Sequence, residues 1–344
     1  MSAASPRVER VTATSEEAGR RLDNFLLTRL KGVPRAHVYR LIRGGEVRVN
    51  SRRVQAGYRL STGDEVRIPP VRQADARTPL PASRVRADWI QDCVIYEDQD
   101  LLVLNKPSGL AVHGGSGISL GAIELLRAVR GPRERLELVH RLDRDTSGCL
   151  LVAKRASALR TLHAQFRDGS IDKRYLALLI GRWPGRARTV DAPLITDERR
   201  GGERHVRVDA AGKSALTRFV PLERFAEATL TEVHLTTGRT HQIRVHAASI
   251  GHPVAGDERY GVADDPVVAK YGLKRLFLHA RSLAFTSPHN GALTIDAPPG
   301  EDLTASLDRI RMSPDRVASG QHGAGQLDDL YATPAQGVGQ PDQR

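Results

Sequence analysis

The sequence predicts an α+β protein with a small N-terminal domain of two helices and a short sheet, and a larger domain with a mostly antiparallel mixed sheet flanked by helices. The 344 residues exceed the usual size of one domain. A proline-rich segment without periodicity separates two regularly patterned regions. In the second region, β-like runs and shorter helical runs alternate with several hairpins. The predicted boundaries are a disordered N-terminus 1–15, a first domain 16–70, a linker 71–88, a second domain 89–312 and a disordered tail 313–344.

In the first domain, apolar residues at helical spacing predict a helix over Arg20–Leu30, which Gly32 ends. Pro34 suits the first turn of a second helix, which stops at the glycine pair 44–45. Two strands should follow, over Glu46–Val49 and Glu65–Ile68, with turn residues before each.

The positive charge is concentrated in this first domain. The chain carries a net charge of +12, and the segment Arg20–Arg72 alone holds thirteen basic and four acidic residues. Such an excess indicates a polyanionic partner, with nucleic acid favoured over an acidic membrane surface. Only 15 residues are Phe, Trp or Tyr, so contacts with phosphates should dominate over stacking on bases.

The composition excludes several protein classes. No apolar run reaches the roughly 18 residues of a membrane-spanning helix, and the N-terminus lacks the apolar core of a secretory signal. The two cysteines, Cys93 and Cys149, cannot build a disulfide framework or a cysteine zinc site, which fits a reducing cytoplasm.

The second domain is expected to begin with a hairpin over Ile95–Asn105, around Asp98–Asp100. Helical spacing is present over Ser119–Arg130 and Ser157–Phe166. The apolar runs that predict strands are Leu150–Ala153, Tyr175–Ile180, Leu230–Leu235, Phe277–Phe285 and Ala292–Ile295.

Three patterns in this domain have simple explanations. The glycine-rich run 113–117 lacks the lysine ending of a phosphate-binding loop and predicts a turn. The stretch Asp145–Gly148 occurs once, whereas an aspartic protease needs two carboxylates that share a proton. The histidines at 241, 246 and 252 have no cysteine or paired carboxylate at ligand spacing, so we interpret them as polar or structural residues.

The stretch His140–Gly148 is more informative, because it places Asp143 between two arginines immediately before an apolar strand. Opposite charges nearby favour the ionised carboxylate. Two interpretations remain open from the residues alone: a chemically active carboxylate, or a loop held by Arg–Asp pairs.

A second unusual stretch runs from Thr237 to His246. Thr240 could cap a helix there and present Arg239 and Arg244 to a shared site. The alternative is a basic helix end at the surface.

The motifs together resemble known families. The basic segment GVPRAHVYRLIRGGEVRVNSRRVQAGYRLSTGDEVRI resembles the small RNA-binding domain named after ribosomal small-subunit protein S-four. The second domain resembles the pseudouridine synthases that act on large-subunit ribosomal RNA, and the whole is most similar to their type C members. The motifs that carry this resemblance are LNKPSGLAVHGG (104–115), HRLDRDTSG (140–148), DKRYLALLIG (172–181), TTGRTHQIRVH (236–246), GHPVAGDERYG (251–261) and FLHA (277–280).

The resemblance implies residue roles. Asp143 would be the catalytic aspartate, Arg141 would help displace the target base, Tyr175 would lie against the uracil, and Arg244 would pair with Asp143. Further residues expected to bind substrate or RNA are His140, Arg239, His241, Arg35, Arg40, Arg43, Arg48, Arg52 and Arg53.

The expected activity is isomerisation of specific uridines by base flipping, glycosidic bond cleavage and rejoining through carbon. An isomerisation needs no cofactor or metal, and none is expected. The partner would be large-subunit ribosomal RNA, bound by a cytoplasmic monomer that interacts with neither membranes nor DNA.

Three alternatives are considered. A type D synthase would modify other uridines of the same RNA. A non-catalytic ribosomal RNA-binding or assembly factor would be expected to have lost one of the three residues Asp143, Tyr175 and Arg244. A glycosidase or protease built on Asp143 or Asp145 lacks a plausible partner carboxylate.

Overall fold

The computed structural model describes residues 8–15, 17–30, 33, 35–71, 87–114, 120–198 and 204–313. The chain divides into two compact units, Met1–Ala87 and Asp88–Arg344, here called the N-terminal and C-terminal domains. Most of the predicted linker, all but the first residue of the predicted tail, residues 1–7 and part of the glycine-rich run lie outside the described residues. Within the described residues, no helix is both long and apolar enough to span a membrane.

The N-terminal domain packs two helices on a three-stranded antiparallel sheet with the order β1-β3-β2. Both predicted helices and both predicted strands are present. Its core contains Leu22, Phe25 and Leu26 of the first helix and Val38 and Leu41 of the second, all buried against the sheet. The elements are β1 (Glu9–Thr12), α1 (Leu22–Arg29), α2 (Arg35–Gly44), β2 (Arg48–Val49) and β3 (Glu65–Ile68).

Strand β1 corrects the predicted disorder of residues 1–15 over Glu9–Thr12. It pairs along β3 from Glu9 opposite Ile68 to Thr12 opposite Glu65, and Arg10 Nη1 lies 2.7 Å from Glu65 Oε1. None of its four side chains is fully buried. It therefore carries little hydrophobic signal, and the backbone hydrogen bonds of the sheet edge hold it in place.

The C-terminal domain is built on a ten-stranded sheet. Its main path has the order β4-β5-β7-β14-β8-β13-β12-β9, with β15 paired to β14 and β6 paired to β7, while β10 and β11 form a separate hairpin. The strands are β4 (Val94–Glu97), β5 (Leu101–Lys106), β6 (Glu137–Leu138), β7 (Ser147–Ala153), β8 (Asp172–Ile180), β9 (Arg188–Asp191), β10 (Leu194–Glu198), β11 (Arg204–Val208), β12 (Leu216–Arg224), β13 (Ala228–Leu235), β14 (Leu278–Ser287) and β15 (Gly291–Asp296).

Helices cover this sheet. Helix α5 buries Ala158 and Leu162 against strands β5, β7 and β14. Helices α7 and α8 pack on side chains such as Leu176 of β8, which alternate with those pointing to the opposite face. The helices of this domain are α3 (Trp89–Asp92), α4 (Ala122–Arg130), α5 (Ala156–Asp168), α6 (Gln242–Ser249), α7 (Pro266–Tyr271) and α8 (Glu301–Arg311).

The predicted α+β class, with a mostly antiparallel mixed sheet, is confirmed. Among the described strands, β7 and β14 form the parallel pair, and the other pairs are antiparallel. The sequence did not predict strand β6 or strands β9 to β12. Strand β9 lies at the sheet edge, and β10 and β11 form the separate hairpin. Strand β12 is mostly half-buried, so its apolar alternation is weak.

At Gly148 the backbones of the parallel strands β7 and β14 lie in close contact. It lies opposite Ala280 of β14 and has a φ of 109°, and a Cβ added there would lie 2.2 Å from the Ala280 carbonyl oxygen. Only glycine allows the two backbones to approach this closely. Since β7 follows the loop that carries Asp143, this contact also fixes where that loop enters the sheet.

The Gly148→Ala variant should therefore lose at least about 3 kcal/mol of unfolding free energy, because backbone cannot move aside as a flexible side chain could. Urea unfolding of the full chain measures the loss. Gly169→Ala is the matched control: its φ of 80° and ψ of 13° lie in the left-handed region and no atom lies within 4 Å of the added Cβ, so about 1–2 kcal/mol is expected. Equal losses in the two variants would show that the Ala280 contact is unimportant.

Candidate active site

Asp143 lies on the loop between β6 and β7. Leu142 and Thr146 are buried on either side of it, and the Thr146 N–H donates to the Asp143 carbonyl oxygen at 3.2 Å. The carboxylate side chain remains 20% exposed. The loop thus buries its apolar and hydroxyl side chains and presents the carboxylate to solvent.

Lys106, the last residue of β5, holds this loop in place through hydrogen bonds. It is fully buried, and its Nζ donates to the carbonyl oxygens of Pro107 at 2.8 Å, Leu110 at 2.8 Å and Arg144 at 3.0 Å. Ser108 Oγ donates to the Asp145 carbonyl oxygen at 2.7 Å. The residues immediately after Asp143 are therefore held by the turn that follows β5.

Burial lowers the pKa of Lys106 to about 7, although the negative charges of Asp145 and Asp143 oppose the shift. An ammonium has three N–H donors, and all three find a carbonyl oxygen here. A buried cation without such partners would cost far more free energy.

Tyr175 in the middle of β8 faces the same site. It is 9% exposed and lines a small cavity together with Asp143, Arg141 and Arg244. Burial and then the charge of Asp143 raise the pKa of Tyr175, so the ring is a neutral phenol at physiological pH. The cavity lining thus includes the Asp143 carboxylate and a neutral phenol ring.

The predicted ion pair between Arg244 and Asp143 is wrong. Arg244 on α6 instead donates to Asp257, from Nε to Oδ2 at 2.7 Å and from Nη2 to Oδ1 at 2.6 Å. Asp257 is buried and offers both oxygens in the geometry that suits a guanidinium. The guanidinium also lies 5.1 Å from the ring centroid of Tyr260.

Both oxygens of Asp257 are occupied by the pair with Arg244 and by backbone hydrogen bonds. Burial opposes its ionisation, but the hydrogen bonds and charge of Arg244 outweigh burial and lower the pKa of the carboxyl. Its Oδ1 also accepts the backbone N–H groups of Arg259 at 2.9 Å and Tyr260 at 3.0 Å. Breaking such a buried pair by removing one partner is strongly destabilising.

His241 is the residue that approaches Asp143. Its Nε2 lies 4.0 Å from Asp143 Oδ2, and the histidine lines both cavities of the site. It also occupies the N-cap position of α6 with a φ of 53°. The prediction that Thr240 caps this helix is therefore wrong, and no side chain at the N-cap supplies a capping hydrogen bond.

The structure brings Arg141 and Arg239 to the small cavity but does not bring His140 there. The His140 ring stacks on Phe166 with centroids 4.9 Å apart, and its Nε2 accepts the Leu151 N–H at 3.0 Å. Burial lowers the pKa of His140 to about 4. This residue packs inside the domain and supports the start of the loop.

A larger cavity of about 1210 Å³ adjoins the small one and contains an excess of basic side chains. Asp143 lies on the border between the two, since it lines both. The basic residues around the larger cavity are Lys106, Arg141, Arg144, Arg244, Arg259, Lys274 and Arg275, and the acidic ones are Asp143, Asp145, Glu258 and Asp302. The cavity is thus suited to a ligand with several negative charges.

The predicted RNA-binding arginines of the N-terminal domain are mostly exposed. Arg40 and Arg43 lie on α2, and Arg52 and Arg53 lie in the segment after β2. Arg48 is half-buried and donates to the Ser51 carbonyl oxygen. The side chain of Arg35 lies outside the described part of the chain.

The roles predicted from the sequence did not include Lys106, Asp257 or Tyr260. A lysine two residues after the apolar run Leu101–Leu104 was a usable signal, because a lysine is rarely buried unless partners satisfy it. Across the described residues, no group of three or more His, Cys, Asp or Glu side chains is arranged to hold a metal ion.

Comparison with known proteins agrees with the motifs. The RNA pseudouridylate synthase family model matches residues 100–249, and the S4 domain model matches residues 20–66. The ribosomal large subunit pseudouridine synthase C of Escherichia coli (strain K12) is 51% identical over 316 residues, which cover 90% of this chain and 99% of that protein. The protein of the same name from Haemophilus influenzae is 48% identical, over 89% of this chain and 96% of that protein.

Solved structures of similar fold come from human proteins. Human RNA pseudouridylate synthase domain containing 4 is 26% identical with a TM-score of 0.55, over 65% of this chain and 95% of that one. Human RNA pseudouridylate synthase domain containing 1 is also 26% identical, with a TM-score of 0.52, over 65% of this chain and 96% of that one. The resemblance drawn from the motifs is confirmed.

The lowered pKa of Lys106 predicts a pH-dependent stability. An ordinary lysine in the unfolded chain titrates near 10.4, so between about pH 7 and 10 the unfolded state binds more protons than the folded state. This residue therefore makes the folded state more stable as the pH rises through that range, by up to about 1.4 kcal/mol per pH unit.

Comparison of urea unfolding with the Lys106→Met variant isolates this contribution, because Met keeps the length of the side chain without a titrating group. The stability difference between the two proteins should grow in favour of the wild type from pH 7.5 to 9.5. A difference that stays constant with pH would contradict the lowered pKa.

Proposed function

This chain belongs to the pseudouridine synthase family, and we propose that it isomerises specific uridines in large-subunit ribosomal RNA with Asp143 as the catalytic group. One observation carries the assignment of Asp143: its carboxylate borders both cavities and has no ion pair with Arg244, whose two-pronged pair is with Asp257. The oxygens of Asp143 are thus available to a substrate.

The chemistry suits this carboxylate. Isomerisation of uridine breaks the N1–C1′ bond, rotates the uracil and joins C5 to C1′; C5 then loses a proton and N1 gains one. Atoms and electrons balance without an oxidant or a cofactor. A carboxylate can act either by attack at the anomeric carbon or by removal of a ribose proton. Both routes need an ionised oxygen at the position of Asp143.

The target base must leave the RNA stack before it can rotate, at a cost of a few kcal/mol. We assign Tyr175 to receive the uracil ring, since an aromatic side chain stacks on an unstacked base. Arg141 is exposed at the rim of both cavities, where its planar guanidinium could take the place that the base leaves.

The choice of RNA rests on the relatives and on the N-terminal domain. Relatives at 51% and 48% identity are named ribosomal large subunit pseudouridine synthase C. We therefore propose the type C specificity over type D, and action as a monomer in the cytoplasm, where ribosomes are made. Mapping pseudouridines in ribosomal RNA from cells that lack this protein identifies the modified uridines, and an unchanged map would refute this specificity.

The decisive test is Asp143→Asn, which keeps the shape of the side chain but leaves a poor nucleophile and a poor base. Activity should fall by at least about 10³-fold, as when the acting group of a catalytic unit is removed. RNA affinity should stay within about tenfold, because phosphate contacts elsewhere dominate binding. Chromatography of nucleosides from treated RNA measures activity, and filter binding measures affinity.

Asp145→Asn is the matched control. Asp145 lies two residues away, lines the larger cavity and pairs with Arg144 Nε at 3.1 Å. It should lose far less activity than Asp143→Asn. If Asp143→Asn instead unfolds or loses RNA binding, the role of Asp143 is structural, in a loop held by Arg–Asp ion pairs. Full activity in that variant would refute the catalytic assignment.

A second prediction concerns the contribution of the positively charged N-terminal domain to RNA binding. Replacing the exposed Arg40, Arg43 and Arg52 with Gln should weaken RNA binding and reduce the slope of log affinity against log salt by about 2 to 3, because fewer counterions are released.

The control replaces three exposed arginines of the C-terminal domain, Arg182, Arg186 and Arg188, with Gln. It removes the same charge and should change the salt slope less. Equal effects of the two triple variants would show that net charge alone, rather than the N-terminal domain, determines binding.

A further inference from the structure

His241 adjoins Asp143 in a network that neither the family comparison nor the motifs explain. Its Nε2 lies 4.0 Å from Asp143 Oδ2. Its Nδ1 lies 2.9 Å from the Tyr260 hydroxyl oxygen. That hydroxyl in turn accepts the Val206 N–H at 3.2 Å. The network connects Asp143 through one histidine to a tyrosine and to the backbone of strand β11.

The network indicates which nitrogen of His241 carries the proton. The Tyr260 oxygen already accepts the Val206 N–H, and its own proton is directed to His241 Nδ1 as the neighbouring acceptor. The neutral imidazole then carries its proton on Nε2, the nitrogen that faces Asp143. The opposite tautomer would direct a lone pair at a carboxylate, which is electrostatically unfavourable.

The surroundings keep this imidazole neutral. Burial lowers the pKa of His241, and the positive charges of Arg244 and Arg259 act in the same direction, against the opposing effect of Asp143. A neutral ring donates one hydrogen bond from Nε2 without adding a full charge beside the carboxylate. Arg244 supplies the positive charge from a distance, since its donors are directed at Asp257.

We propose that His241 is a positioning residue for the isomerisation, and that its Nε2–H orients the Asp143 carboxylate while Tyr260 holds the imidazole ring. The proposal rests on the function proposed above. The 4.0 Å separation would shorten to hydrogen-bond length when RNA fills the cavity, since catalytic hydrogen bonds often tighten only in the complex. One oxygen of Asp143 would then be fixed by His241, and the other would face the ribose.

Two variants at position 241 separate the effect of losing the hydrogen-bond donor from the effect of replacing the ring by a smaller side chain. His241→Leu removes the donor, whereas His241→Gln retains an amide N–H that can reach the carboxylate. Both carry the same cost at a φ of 53°, so backbone strain cancels between them. The single-turnover rate of pseudouridine formation should fall about 10–100-fold in His241→Leu, the scale of a misplaced catalytic group. In His241→Gln the fall should be less than about fivefold.

Tyr260→Phe tests the same network from its other end and keeps the ring beneath Arg244. It should slow the single-turnover rate several-fold in the wild-type background, and it should add nothing in the His241→Leu background, because the histidine that it orients is absent. RNA dissociation constants should stay within about threefold in all variants, since cationic side chains on phosphates dominate affinity and neither residue is cationic here.

The outcomes are distinguishable. Equal losses in His241→Gln and His241→Leu, a wild-type rate in His241→Leu, or additive losses in the double variant would each overturn the positioning role. If His241→Leu does not fold, a wild-type rate in Tyr260→Phe alone overturns it. Wild-type enzyme that forms no pseudouridine in the same assay would instead refute the proposed function, and this inference with it.

Discussion

The geometry of the site depends first on one buried lysine. Lys106 has no exposed surface and donates to three carbonyl oxygens, one of which belongs to Arg144, the residue after Asp143. A buried polar group must satisfy its hydrogen bonds within the protein. The contacts of Lys106 Nζ therefore hold the turn after β5 and the Asp143 loop in one arrangement. Catalysis by a carboxylate requires this order, because a small misplacement of a reacting group can cost about 10²-fold in rate.

The second constraint is the parallel pairing of β7 with β14, where Gly148 meets Ala280. It brings the end of the Asp143 loop beside β14, and β14 in turn pairs with β8, where Tyr175 lies opposite Ala280. Residues more than thirty positions apart thus meet through backbone hydrogen bonds alone. The carboxylate and the aromatic ring share a cavity because the strand order places them there, and Lys106 then fixes the fine position of the loop.

Much of this arrangement could be predicted from the sequence, and the failures have physical causes. Apolar residues at helical spacing predicted helices α1, α2, α4 and α5, and the turn residues Asp98–Asp100 predicted the first hairpin of the second domain. Strand β1 was missed because backbone pairing, not burial, holds it. The partner of Arg244 was predicted incorrectly, because a charge pair depends on which carboxylate the fold brings within reach. Asp257 lies thirteen residues along the chain, and only the turn after α6 shows that it faces the guanidinium.

The pairing of Arg244 with Asp257 also explains how Asp143 can remain reactive. A carboxylate held by a two-pronged arginine pair has both oxygens occupied, and it would have to break charge-assisted hydrogen bonds before it reacted. Here the buried Asp257 takes the donors of Arg244, while the positive charge remains near enough for Arg244 and Asp143 to interact electrostatically. The site thereby separates two requirements: a positive charge close to Asp143, and free oxygen lone pairs for the ribose. A neutral donor such as His241 can orient one of those oxygens without removing the other from use.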